Sequence, residues 1–250
     1  MSDVTLRLLS YNIQAGLATR DYGHYVTGAW RHALPARGRR SNLARMAELM
    51  QDYDFVALQE ADAGSLRTGD LNQIEYLAQR AGFQHYGYSV MRDLAPVARV
   101  SLGYLSRWRP RRVVTHLLPG RIPGRGALEV ELVSADGAPL RVLATHLSLG
   151  PGSRRRQLDY LAAVVAESSR AAVLVGDLNS SSESLRRHPG LRTAGLEPVA
   201  EPPVTYPSWR PERALDQVLV RAPLEVLAVR ALPVRYSDHR PLAVDLGRCA

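Results

Sequence analysis

The sequence predicts an α/β fold in which two packed β-sheets are covered by helices. Three observations lead there. Short β-compatible segments recur along nearly the whole chain, three stretches of helical periodicity interrupt them, and 250 residues with 46% hydrophobic and 22% charged side chains are enough to bury a substantial core. A sheet with an apolar outer face must bury it against another layer, so many strands with few helices imply sheet on sheet with helices outside. No Ser/Gly-rich linker, repeat or low-complexity tract divides the chain, and residues 1–250 read as a single domain.

Segments 4–13, 54–59, 101–106, 128–133, 140–147, 171–176, 215–220, 226–232 and 242–246 are predicted as strands. Some alternate, others are continuously apolar, and Gly, Pro, Asp or Ser lie nearby. Ser41 is placed to cap a helix carrying Leu43, Met46, Ala47 and Met50 at helical spacing. Asp70 is placed to start a second, with Leu71, Ile74, Leu77 and Ala78 inward and Gly82 as its stop. A third runs over about 153–168 with Leu158, Leu161, Ala162 and Val165 inward. Its first turn carries Arg154, Arg155 and Arg156 against the dipole preference, so these arginines spread into solvent or meet an anion.

All 32 basic residues are arginine, against 24 acidic ones, for a net charge of +8. The lack of lysine excludes Schiff-base chemistry and a Walker-type phosphate lysine. The charge suits anionic partners, whether nucleic acid, phosphorylated small molecules or an anionic membrane surface. A lone Cys249 forms no internal disulfide, so the fold sets no need for an oxidising compartment and a cytoplasmic location is expected. Neither a signal-peptide pattern nor a run of about 18 apolar residues is present, and a soluble monomer without a transmembrane segment is expected.

Polar residues end several of the apolar segments. In VLVGDLN at 173–179 a buried strand delivers Asp177 and Asn179 at its exit, able to orient a water and to hydrogen-bond a phosphoryl oxygen, while Gly176 permits close backbone approach. Taken alone this segment reads equally as an Asx turn. FVALQE at 55–60 places Glu60 after four apolar residues, where a carboxylate needs solvent or a cation, and magnesium takes such hard oxygens while keeping water. YNIQ at 11–14 offers the Asn12 amide to a metal or to Glu60, and ATHL at 144–147 puts His146 among apolar residues. Ser237-Asp238-His239 joins a carboxylate that could bind metal to an imidazole able to exchange a proton, and Asp216 in ALDQVLV at 214–220 could orient that ring. The alternatives are a turn residue, a satisfied core histidine and a structural acceptor, respectively.

In order, YNI, QE, THL, GDLN, LDQVLV and SDH resemble the endonuclease/exonuclease/phosphatase superfamily, the deoxyribonuclease I-like fold, over nearly the whole chain. The resemblance implies a four-layer α/β/β/α sandwich with two central mixed β-sheets, its site at one edge between the sheets. It also implies a divalent-metal-dependent hydrolase of phosphate esters, with magnesium the usual ion and manganese a substitute. Carried over, Glu60 is the principal metal ligand with Asn12 and Asp238 assisting, and Asp177 and Asn179 position nucleophile and phosphate. His146 binds or protonates a phosphoryl oxygen, and His239, supported by Asp216, is the general base. Arg125, in PGRIPGRG at 119–126, is the better substrate-binding candidate beside Arg121.

The stretch 15–40, with Arg20, His24, Tyr25, Trp30, Arg31, Arg37, Arg39 and Arg40, resembles a specificity loop. Gln14 departs from the acidic residue of apurinic-site endonucleases, and the pattern is closer to deoxyribonuclease I, neutral sphingomyelinase and bacterial metal-hydrolase branches. A phosphodiesterase with nucleic acid as the first substrate class to test is therefore expected. A phospholipid phosphodiesterase, an inositol-phosphate-type phosphatase and a noncatalytic phosphate- or nucleic-acid-binding descendant are the alternatives.

Overall fold

The computed structural model describes residues 4–17, 38–121, 123–133 and 137–248. Arg20, His24, Tyr25, Trp30, Arg31 and Arg37 of the expected specificity loop, and Cys249, lie outside them. Along the chain come β1 (Leu6–Asn12), α1 (Arg39–Met50), β2 (Phe55–Asp62), α2 (Gln73–Ala81), β3 (His85–Leu94), β4 (Ala98–Ser106), β5 (Arg112–Leu117) and β6 (Gly126–Val133). There follow β7 (Pro139–His146), α3 (Pro151–Ala166), β8 (Ala171–Asp177), α4 (Ser182–Arg186), α5 (Pro189–Thr193), β9 (Glu197–Pro198), β10 (Asp216–Arg221), β11 (Leu224–Ala231) and β12 (Leu242–Arg248).

The strands form two six-stranded sheets in the orders β11-β12-β1-β2-β4-β3 and β5-β6-β7-β8-β10-β9. Each holds one parallel pair, β1 with β2 and β7 with β8, and antiparallel pairs elsewhere, so both are mixed as the resemblance implies. The connections between parallel partners contain α1 and α3, as a crossover requires. Three apolar clusters define four layers. Leu6, Leu8, Phe55 and Ala57 meet Val130, Val142, Val173 and Val175 between the sheets. Leu9, Tyr11, Val56 and Leu58, on the opposite face of the first sheet, pack under Leu43 and Met46 of α1 and Ile74 and Leu77 of α2. Leu143, Ala172, Leu174 and Leu219 pack under Leu158, Leu161 and Val165 of α3. Because both faces of the central strands are covered, these strands read as continuous apolar runs.

Several local expectations are corrected. α1 starts earlier than the Ser41 reading: Gly38, at φ 86°, takes the N-cap position, and the Ser41 hydroxyl donates to the Gly38 carbonyl at 2.9 Å. Asn72 rather than Asp70 caps α2, its Oδ1 accepting from the N–H groups of Ile74 and Glu75, whereas Asp70 turns the chain at φ 58°. Gly82 does stop α2, at φ 74°. α3 begins with Pro151, whose fixed φ suits a first helical position, and ends at Ala166. β3 and β5 are additional strands at sheet edges, alternating half-buried and exposed side chains, and β9 is a two-residue edge strand. No helix of the described residues is long and apolar enough to cross a membrane.

The topology brings the polar strand ends to one rim. β1, β2, β7 and β8 finish there, with Asn12 beside Gln59 and His146 beside Asp177. The antiparallel β10 begins there, Asp216 opposite Asp177, and Leu242 of β12 pairs with Ser10, which brings Ser237-Asp238-His239 to the same rim.

Candidate active site

Three backbone features set the side chains of this rim. Between Leu58 and Ala61, β2 gains one residue over β4, a bulge that carries Glu60 at φ 55° and turns its carboxylate out of the sheet alternation. Gly176 sits at φ 143° opposite Thr145, and a Cβ there would lie 1.9 Å from the Thr145 carbonyl oxygen, so only glycine lets β8 deliver Asp177 beside His146. Asn179, at φ 48°, closes the turn after β8: its N–H donates to Asp177 Oδ1 at 3.1 Å and its Nδ2 to the Leu147 carbonyl at 3.0 Å. The Asx turn and the site are thus the same object.

Asp177 is the hub. Asn12 Nδ2 donates to its Oδ2 at 3.2 Å, so Asn12 holds Asp177 rather than Glu60 among the described residues. His146 Nε2 and His239 Nε2 lie 3.3 and 3.7 Å from the same oxygen, and His146 Nδ1 is 3.8 Å from Glu60 Oε1. His239 Nδ1 is 2.8 Å from Asp216 Oδ2, which also accepts from the Thr205 hydroxyl at 2.5 Å. The Ser237 hydroxyl donates to the Asn12 carbonyl at 2.7 Å and is 3.1 Å from Asp238 Oδ1, tying the final loop to β1. Asn12, Glu60, His146, Asp177, Asn179, Asp216, Asp238 and His239 all lie at this rim. Arg125 reaches it from the loop before β6, where the charges of Glu60 and Asp177 act on its guanidinium.

Burial and charge drive the two imidazoles apart. Burial lowers His146 to about 3, with Asp177 opposing and Arg125 and His239 reinforcing, so it is neutral at pH 7. Burial works against the charged form of His239 as well, but Asp216, Asp177 and Asp238 outweigh it and raise the ring to about 10. Burial likewise raises Asp177, against the two imidazoles, and lifts Asp238 to about 6 with help from the Glu60 and Asp177 charges. A neutral and a charged imidazole on one carboxylate are the separated pair that proton-transfer chemistry uses.

No three His, Cys, Asp or Glu side chains among the described residues form a closed cage for a metal. The donors nonetheless fit a hard ion that keeps much of its water. Glu60 is 38% exposed, and its charge and that of Asp177 act on the buried Asp238, a crowding of carboxylates that a divalent cation would relieve.

Thr205, Tyr206 and Arg92 escaped the sequence reading, and Ser237, named there only as part of its motif, was given no role. The Tyr206 ring lies 4.8 Å from that of His239 at 48°. A second bulge, between Val90 and Arg92, shifts β3 at the level of Ser101, and the charge of Arg92 acts on Arg125. Ser237 stands inside the SDH motif and was there to be found. Thr205 and Tyr206 lie in a Pro-rich loop with no periodicity to flag them.

Solved structures of low identity share the fold. An endonuclease/exonuclease/phosphatase from Beutenbergia cavernae DSM 12333 superposes with a TM-score of 0.74 at 23% identity, over 98% of this chain and 72% of that one. The human Nocturnin catalytic domain gives 0.69 at 18%, over 98% and 94%. Sphingomyelinase C from Streptomyces griseocarneus gives 0.67 at 19%, over 96% and 98%. Among curated proteins no sequence matches. The sequence profile of one family matches residues 9–239, spanning the rim from β1 to His239, and the chain therefore belongs to the endonuclease/exonuclease/phosphatase family, an enzyme of the phosphoester hydrolases.

Proposed function

We propose that the protein is a magnesium-dependent phosphodiesterase, manganese substituting, with nucleic acid the first substrate class to test. The observation that carries it is the convergence of Glu60, His146 and the Asp216–His239 pair around Asp177 at one rim. The net charge of +8 supports an anionic substrate.

A divalent ion held by Glu60, Asn12 and Asp238 would polarise a phosphoryl oxygen, acidify water and offset the carboxylate charge that keeps His239 protonated. The chain supplies the rest. Asp216 fixes the His239 ring through Nδ1, which leaves Nε2, on the Asp177 side, to accept the proton of the attacking water. Asp177, locked by Asn12 and by the Asn179 N–H, orients that water. Neutral His146 donates a hydrogen bond to a phosphoryl oxygen, and Arg125 adds positive charge where negative charge develops. No covalent enzyme intermediate is needed.

The test is a panel of oligonucleotide, choline-headgroup lipid and inositol-phosphate or other monoester substrates with magnesium, manganese or chelator. Turnover is expected on the diesters and is abolished by chelation. His239→Asn is expected to lower kcat by about 10²–10⁴-fold, and Glu60→Gln to raise the metal concentration needed for half-maximal rate. Near-wild-type turnover in both folded variants sinks the assignment. Salt-sensitive binding without any turnover favours a noncatalytic descendant.

A further inference from the structure

The mechanism leaves one group of arginines unused. Arg154 stands in the first turn of α3, where positive charge opposes the helix dipole. Its Nη1 donates to the carbonyls of Leu149 at 2.7 Å and Ser148 at 3.4 Å, so the guanidinium is pinned to the loop that follows His146 and receives the Asn179 amide. Arg213 stands in the loop whose Tyr206 pairs with it in a β-bridge and packs on His239. Burial lowers the Arg154 guanidinium, and the charge of Arg213 lowers it further. Neither has a carboxylate partner among the described residues, and two like charges brought together from separate segments are unfavourable until an anion joins them.

Two further features point the same way. The N-cap of α3 is Gly150 and its first residue Pro151, so no side chain caps the helix start. Past Arg154, a cavity of about 480 Å³ opens between α3 and the segment following Asn179, lined in part by Arg154, Arg155, Ser180, Ser181 and Arg187. Its carboxylate, Glu183, pairs with Arg187 at 2.5 Å, leaving Arg154 and Arg155 without a carboxylate partner among the described residues. The Arg121 N–H donates to Ser153 Oγ of this helix start at 3.3 Å, and the charges of Glu60 and Asp177 act on nearby Arg125.

We infer that Arg154 and Arg155, with Arg213 adding positive charge, form a subsite for a second, non-scissile phosphate of the substrate, adjoining the reaction centre at Asn179. The word non-scissile rests on the hydrolase reading above; the subsite itself does not. Planar guanidinium forks match phosphate oxygens in pairs, and such a contact selects substrates that carry two phosphates over those that carry one. The second phosphate belongs either to the next link of a strand or to a small bisphosphate.

Calorimetric titration of the full chain in chelator, where nothing turns over, separates these sources. One arm compares adenosine 3′,5′-bisphosphate with adenosine 5′-monophosphate, the other a thymidine trinucleotide with the dinucleotide. The wild type is expected to prefer the ligand with the extra phosphate by about tenfold in at least one arm, and that arm names the source. Arg213→Glu and Arg154→Gln are each expected to bring the ratio towards one, while Arg109→Glu, near the opposite rim, leaves it in place. Arg213 is exposed and its side chain makes no hydrogen bond or ion pair among the described residues, so its variant tests binding without threatening the fold. A wild-type ratio near one in both arms overturns the subsite, as does a ratio unaltered in both variants or lost equally in the Arg109 variant. A protein that shows the ratio but hydrolyses nothing with magnesium loses the hydrolase reading and keeps the subsite; one that hydrolyses diesters with a ratio of one does the reverse.

Discussion

Gly176 is where a single missing side chain decides the site. The parallel pairing of β8 with β7 sets it against Thr145, and a methyl group there meets the Thr145 carbonyl oxygen at 1.9 Å and its carbon at 2.9 Å, both backbone atoms that cannot swing aside. The φ of 143° adds its own strain for any L side chain. Gly176→Ala is therefore expected to cost roughly 2–5 kcal/mol from overpacking and backbone strain together, read as a lower denaturant midpoint at unchanged slope. Turnover should fall as well, because Asp177 follows directly. An unchanged midpoint would mean that the strands part without cost. Glu60 and Asn179 are the opposite case, non-glycine residues held at φ 55° and 48°. Asparagine tolerates that region, whereas glutamate is strained there, and the strain falls on the carboxylate assigned to the metal.

At the scale of elements, a buried charge network fastens α3 to the second sheet. Arg141 of β7 donates through Nη2 and Nη1 to the carbonyls of Val164 and Val165 at the end of α3, at 3.0 and 3.3 Å. Its Nε meets Glu129 Oε1 at 2.6 Å, and Glu129 Oε2 is 2.7 Å from His116 Nε2. Burial alone would raise the Glu129 carboxyl, but Arg141 and His116 hold it below its ordinary range. Removing one partner strands the other, so Arg141→Met is expected to cost about 3–5 kcal/mol, and adding Glu129→Leu to return much of it. A double-mutant cycle by urea unfolding checks this, and additive losses would contradict the pairing. His116 contributes from β5, a strand the sequence hid. Continuous apolar runs betrayed the central strands because both their faces are covered. β3 and β5, paired on one side only, alternate with exposed Tyr, Arg and Thr and carry no such run. The site was legible for a related reason: Glu60, Asp177 and His146 are polar residues ending apolar runs, and burying them demands a partner. Thr205, Tyr206, Arg92 and Arg213 were not legible, since loops and bulges far apart in sequence bring them to the rim.

For the whole molecule, two sheets meeting at one rim put oppositely perturbed histidines on a single carboxylate, and stability must depend on pH from both sides. With metal removed, His239 titrates at about 10 in the fold against 6.5 unfolded. From 6.5 to 10 the folded state binds the extra proton, so the contribution of His239 is fully present below 6.5 and is lost as pH rises through 10. His146 runs the other way: at about 3 in the fold, it leaves the unfolded chain with the extra proton between 3 and 6.5. Its contribution is fully present above 6.5 and is lost as pH falls through 3. Asp238, raised to about 6, titrates across part of the acid window, so the wild-type curve alone mixes the groups. Subtracting each variant from the wild type isolates them. In chelator, the unfolding free energy of the wild type minus that of His239→Asn is expected to be flat below 6.5 and to shrink as pH rises towards 10. The wild type minus His146→Asn is expected to be flat above 6.5 and to shrink as pH falls towards 3. Urea unfolding at a series of pH values reads both differences. Slopes of the same sign for the two histidines would mean that burial of His146 and the carboxylates around His239 do not drive the rings apart, and the rim would then hold two similar imidazoles instead of a neutral and a charged one.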